Sequence, residues 1–207
     1  MQRKRTFTSP YARPVRLFVL VRHGQSELNV LRRVNGDPAV PVGLTAQGEA
    51  EAEGLRLQVV NLDLDLCVHS RFGRARQTAA IAIAARPVPL LEEPLLDDID
   101  VGDLEGRTME DYRAWKHSHR RDQAFPAGES LDDAARRYAT AFERLLARTE
   151  QRVLVVCHEI PVRYALNAAA GSEMLDGPAH EIGNCVPHLF DDEGLQLAAA
   201  RIRRLVG

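Results

Sequence analysis

Cysteine is scarce in this chain: Cys67, Cys157 and Cys185 are three in number and far apart. An odd, scattered set excludes a disulfide framework and points to a reducing compartment, so a cytoplasmic location is expected. Cys67 and Cys157 lie inside apolar runs and read as small buried residues. Long apolar stretches are missing as well, none approaching the roughly 20 residues of a membrane span, so no membrane role is expected. Nor does charge of one sign dominate: 27 basic and 29 acidic residues leave a net charge of −2. No global field therefore favours nucleic acid or an anionic bilayer, and any positive potential has to be local. Arg3, Lys4, Arg5, Arg13 and Arg16 near the start are followed by no apolar core, unlike a secretory signal. Residues 1–15 read as a flexible basic tail, and 16–207 as a single catalytic-sized domain. A chain of 207 residues buries roughly 70% of its unfolded surface.

What is present is an alternation of short apolar runs and helical segments. Strands are expected at 17–22, 66–69, 88–91 and 152–157, with closing strands over 185–190 and 196–201. Helices are expected at 45–60, with Thr45 as N-cap, and at 73–85, 107–120, 131–149 and 160–170. Glu129-Ser130 reads as a cap for the fourth of these. The alternation implies an α/β fold, a three-layer α/β/α sandwich around a mostly parallel sheet. No internal repeat is visible. His117 and His119 stand two apart on a predicted helix and lack the i, i+4 spacing of a helical metal pair, so no metal site is expected there. Arg120-Arg121 and Arg136-Arg137 read as solvated helix charges, the first pair near a substrate entrance. His180 and His188 receive no chemical role.

Three strand ends carry the reactive residues. Leu17 to Val21 ends in Arg22-His23-Gly24, continued by Gln25-Ser26-Glu27-Leu28-Asn29. Leu66-Cys67-Val68 leads to Ser70-Arg71-Phe72-Gly73-Arg74, and Val153 to Cys157 ends in His158-Glu159. Open α/β sheets bind ligands beyond the carboxyl ends of their strands, and two arginines with two histidines at one edge look built to meet an anion. Gly24 lets backbone and ligand approach closely.

Taken in order, these segments with Gly36, Leu44-Thr45, Gly48, Asp98, Gly102, Glu105-Gly106, the run 126–130 and Asn184 resemble the histidine phosphatase superfamily in its phosphoglycerate mutase-like branch. The resemblance runs from about Leu17 to about Phe190 and implies a phosphoglycerate mutase-like fold and a small phosphorylated substrate. Arg22 and Arg74 suit a bidentate phosphate clamp. His23, neutral and oriented through its other ring nitrogen, is the expected nucleophile, forming a phosphohistidine. His158 is expected to stabilise the phosphoryl oxygens as charge develops. The position matching the general acid/base is Asp98, where most relatives carry Glu, with Asp97 and Asp100 as rivals in sequence. Asn29, Ser26 and Gln25 are secondary substrate contacts, Ser26 and Asn29 fitting a capped turn equally well. Glu159 stands where relatives usually have Gly, and is expected to face outward and pair with Arg163. The route implies no metal and no cofactor.

Only about sixty residues separate Asp98 from His158, leaving no room for the long insertion of glycolytic mutases. Hydrolysis is therefore the favoured reading. Mutase-type transfer, a catalytically weak phosphoryl-binding regulatory protein and a metal-dependent hydrolase are the alternatives. The loops 30–42 and 107–125 carry no readable substrate code, and the oligomeric state leaves no trace.

Overall fold

In the computed structural model, which describes residues 15–179 and 181–207, the apolar runs become β1 (Leu17–Arg22), β2 (Leu66–His69), β3 (Leu90–Glu92), β4 (Arg152–Cys157) and β5 (His188–Phe190). Residues 1–14 of the expected tail, and His180, lie outside the described residues. The strands form one sheet in the order β3-β2-β4-β1-β5. β1, β4, β2 and β3 run parallel, and β5 closes the edge antiparallel to β1. β2 is buried throughout and β1 and β4 nearly so. That explains why their sequences are continuously apolar rather than alternating.

Helices cover both faces. Val19, Val21, Cys67, Leu154 and Val156 pack on one side with α2 (Ala46–Val59) and α3 (Gly73–Ala82). Phe18, Leu20, Val68, Val153 and Val155 pack on the other with α5 (Leu131–Leu146), α6 (Glu159–Ala169) and α7 (Asp192–Val206). A short α1 (Glu27–Val30) follows β1, and α4 (Met109–Ser118) stands beside the loops beyond the sheet. Trp115 anchors α4 by stacking on Phe125, ring centroids 4.1 Å apart.

One expected element needs correction. The closing strand at 196–201 is helical: Asp191 caps α7 by accepting from the Gly194 amide, and Leu195, Ala198, Ala199, Ile202 and Val206 are buried at helical spacing. Arg16, the first residue of the expected domain, is tied into the fold. Its guanidinium donates to the Leu145 and Leu146 carbonyls and meets Asp192 at 3.3 Å.

The acidic loop 97–106 is fixed from behind. Gly102 has φ +51°, and a Cβ there would lie 2.1 Å from the Pro126 carbonyl oxygen. Asp100 and Glu129 exchange hydrogen bonds alongside, the Glu129 amide donating to the Asp100 carbonyl at 3.0 Å. Arg137 is no solvated charge: from α5 it donates to the carbonyls of Leu95, Asp97 and Asp98 at 2.9–3.2 Å and pairs with Glu129. Gly102→Ala should therefore cost about 1–3 kcal/mol of stability, read as a lowered denaturant midpoint with unchanged slope. A midpoint equal to wild type would contradict this account of the loop.

Candidate active site

β1, β2 and β4 deliver Arg22, Ser70 and His158 to one edge of the sheet, and the amide of His23 donates to the Cys157 carbonyl at 3.0 Å. Two helices start there without a side-chain cap, α3 after Phe72 and α6 after His158. By contrast α1, α2, α4, α5 and α7 are capped by Ser26, Thr45, Thr108, Ser130 and Asp191. Free amides at a helix start favour an anion.

His23 is buried, its Nδ1 2.7 Å from the Gly24 carbonyl oxygen. A carbonyl only accepts, so Nδ1 carries the proton and Nε2 is the basic atom, receiving Arg74 Nε–H at 2.9 Å. Burial holds the imidazole well below its ordinary pKa, reinforced by the charges of Arg74 and Arg22 and opposed by the Gly24 hydrogen bond. Gly24 has a different reason to be glycine from the one expected. A Cβ there would sit 2.4 Å from the Gly48 carbonyl oxygen, so the turn lies directly against the first turn of α2.

Arg74 organises the site. Its buried guanidinium donates to His23 through Nε and to the Asn35 side chain through Nη1. Nη2 lies 3.3 Å from both Asp98 Oδ2 and His158 Nδ1. The ring of Phe72 lies beneath it, 4.3 Å from the guanidinium carbon. Asn35 is held in turn by Glu105, whose other oxygen accepts from the amides of Gly36 and Asp37. Neither Asn35 nor Glu105 announced itself chemically in the sequence; Gly36 and Glu105-Gly106 were only parts of a pattern.

His158 is fully buried and places Nε2 2.8 Å from Ser70 Oγ, with Nδ1 3.4 Å from Asp98 Oδ2. Burial, then the Arg74 charge, keeps it well below the ordinary histidine pKa. Asp98, despite its short side chain, reaches both Arg74 and His158. Desolvation raises its pKa, Arg74 opposes the rise and Glu159 adds to it. Its rivals face elsewhere: Asp97 pairs with Arg71 at 2.6 Å, and Asp100 accepts from the Gly102 amide at 2.9 Å.

Arg22 donates through Nη1 to the Ile182 carbonyl at 2.7 Å and pairs with Glu159 at 2.9 Å. Glu159 meets Arg163 at 3.5 Å, as expected, but it lines the cavity instead of facing outward. Ser26 and Asn29 form a reciprocal capping box for α1 and also border the cavity. Gln25 turns away, its side-chain oxygen accepting from Thr45 Oγ1 at 2.9 Å. The loop pair Arg120-Arg121 lies beyond α4; Arg120 pairs with Asp122, and Arg121 with Asp132 and Asp176, rather than at the cavity mouth. His23, Arg22, Arg74 and Asp98 open into a cavity of about 530 Å³ whose further lining includes Leu28, Val34, Ile99, Val101 and Met109.

A mostly parallel sheet gathers two buried histidines, two arginines and a carboxyl group at its carboxyl edge, so the chain is an α/β protein with a basic pocket beyond that edge. The chain belongs to the histidine phosphatase superfamily (branch 1), whose family model matches residues 18–198. Members are phosphatases or mutases acting on small phosphorylated substrates. Among its relatives, a 2,3-bisphosphoglycerate-dependent phosphoglycerate mutase of Methylobacterium sp. is 34% identical over 193 residues, 84% of this chain and 90% of that protein. The alpha-ribazole phosphatase of Shigella flexneri superposes with a TM-score of 0.73 at 25% identity, over 84% of this chain and 89% of that one. A mycobacterial glucosyl-3-phosphoglycerate phosphatase shares the fold, with a TM-score of 0.71 at 24% identity, over 84% and 92%. Because the 193 aligned positions take in only 84% of this chain's 207 residues, the Methylobacterium protein carries residues in that stretch that this chain lacks. Phosphatases and a mutase thus both stand among the similar proteins, and the likeness does not separate hydrolase from mutase. Among the described residues no helix is long and apolar enough to cross a membrane.

Proposed function

We propose that this protein is a phosphomonoester hydrolase that works through a phosphohistidine on His23. Nε2 of His23 attacks phosphorus while the hydrogen bond that Arg74 Nε–H gives that nitrogen shifts to a phosphoryl oxygen, the proton staying on Arg74. The P–O bond to the alcohol breaks, and Asp98 gives its proton to the leaving oxygen. Arg22, Arg74 and His158 stabilise the charge that develops on the phosphoryl oxygens. Water then attacks the phosphohistidine, Asp98 takes its proton, the N–P bond breaks and phosphate leaves.

The observation that supports hydrolysis over transfer is the Glu159 carboxylate, which stands in the cavity lining 2.9 Å from Arg22 and works against a doubly phosphorylated intermediate. A mutase has to hold a charged group at both ends of its intermediate. Of the four cations further out in the lining, Arg33 donates to the Gly106 carbonyl, Lys116 and Arg163 stand 3.9 Å from Asp176, and Arg113 is the fourth. The mutase reading draws its support from the 34% identity to the Methylobacterium mutase.

The test is phosphate release from 4-nitrophenyl phosphate and from sugar and glycerate phosphates, with a chelator present. A parallel assay follows isomerisation of 3-phosphoglycerate primed with 2,3-bisphosphoglycerate. Release that survives chelation supports the hydrolase. Isomerisation outpacing release would move the assignment to the mutase, and phosphate or vanadate binding without turnover to a binding protein.

Asp98 gives this reading a second handle. Asp98→Asn should slow an alkyl phosphate about 10²–10³-fold, and formation of the phosphohistidine from 4-nitrophenyl phosphate far less, since nitrophenolate leaves without a proton. The active free enzyme needs neutral His23 and protonated Asp98. Thus kcat/KM for the alkyl ester should fall as pH drops through the lowered His23 pKa, and again as pH rises through the raised Asp98 pKa. Asp98→Asn should abolish the second limb; equal losses on both substrates would exclude Asp98 as the acid.

A further inference from the structure

Glu159 stands between the two cations that border the cavity on its side. One oxygen is 2.9 Å from Arg22 and the other 3.5 Å from Arg163, one helical turn further along α6. Arg22 is otherwise incompletely matched: Nη1 reaches the Ile182 carbonyl, while its buried Nε has no hydrogen-bond partner. The Glu159 side chain is 31% exposed and that of Arg22 19%, so this is a half-buried pair within the cavity lining, not a surface decoration.

We infer that Glu159 is a built-in competitor for the phosphate clamp: its carboxylate occupies Arg22 when no ligand is bound and is transferred to Arg163 when a phosphoryl group arrives. The proposal rests on the reading of this cavity as a phosphate site. Only the fraction of molecules whose Arg22 is released can bind an oxyanion productively, so apparent affinity falls by that fraction. A bare phosphate ion has nothing with which to offset the displacement. A phosphoester whose organic part packs on the rest of the cavity lining, where Leu28, Val34, Ile99, Val101 and Met109 stand among Arg33, Arg113 and Lys116, does. Glu159 would thus discriminate against inorganic phosphate and small phosphates in favour of phosphoesters whose organic part makes extensive contact with that lining. It would also hasten loss of the phosphate product. Glu159 is a specificity residue here; it transfers no proton and forms no bond to phosphorus.

The experiment is calorimetric titration of inorganic phosphate and of orthovanadate into wild type, Glu159→Gln and Glu159→Ala, with thermal melts to establish that each variant is folded. Alongside it, kcat and KM are measured for phenyl phosphate and glycerol phosphate. Both variants should bind phosphate about tenfold more tightly. KM for glycerol phosphate should fall more than KM for phenyl phosphate, and kcat should not rise. Unchanged or weaker phosphate binding by both variants, with wild type binding normally, would overturn the competitor while leaving the phosphatase reading intact. Failure of all three proteins to bind either oxyanion would overturn both.

Discussion

Phosphate release from an aryl phosphate should fall by about 10⁴-fold or more in His23→Ala, the loss expected when a covalent nucleophile is removed and only binding and electrostatic stabilisation remain. The geometry explains why nothing else can take over. His158, the other buried imidazole, has Nε2 turned to Ser70 and Nδ1 between Arg74 and Asp98. No cysteine stands in for it either: burial pushes the thiols of Cys67 and Cys157 up to about 12, far from a reactive thiolate. Removing the imidazole leaves Arg74 Nε without its acceptor, which costs about 1–3 kcal/mol and should lower the melting temperature modestly. The decisive measurement pairs steady-state release with acid-quenched trapping of phosphoprotein. Wild type should yield an acid-labile, base-stable phosphoryl adduct, and the variant none. Residual release above a few per cent of wild type, or an adduct that persists without His23, would exclude it as nucleophile.

The second large effect is expected at Arg74. Arg74→Lys keeps the charge but replaces a planar fork by a single ammonium, and no ammonium can serve His23, Asn35 and Asp98 in the positions that the guanidinium reaches. kcat/KM should drop about 10²–10³-fold. Part of the loss should appear in kcat, because the orientation of His23 Nε2 depends on the same side chain that grips phosphate. Equal kcat with only a raised KM would reduce Arg74 to a binding group. Activity within threefold of wild type would remove it from the machinery.

The strands that carry the site were legible because each is an apolar run interrupted by a charged or polar residue: Val21 before Arg22, Val68 before His69, Cys157 before His158. Parallel strands buried on both faces write themselves this way. The last helix was misread because Gln196–Arg201 is too short a window. Its period emerges only when Leu195 and Val206 are included with the cap at Asp191. What no stretch of sequence displays is the role of residues whose meaning comes from partners far along the chain. Asn35 meets Arg74, Glu105 meets the 35–37 loop, and Arg137 meets the backbone of 95–98. No local pattern encodes such contacts. Glu159 was noticed and paired with Arg163, yet its approach to Arg22 depends on how β1 and β4 sit side by side, with Arg22 opposite Cys157.

Arg137 also answers a question of reach. The carboxyl group at position 98 comes from a side chain one methylene shorter than glutamate, yet it meets Arg74 and His158. It does so on a loop whose carbonyls are gripped from α5, so the distance from backbone to pocket is set by a helix on the far side of the loop. Side-chain length and loop position are therefore one matched dimension. Putting a glutamate at 98 would not repair a deficiency in this chain. It would push a longer rod into a socket already cut to aspartate's measure.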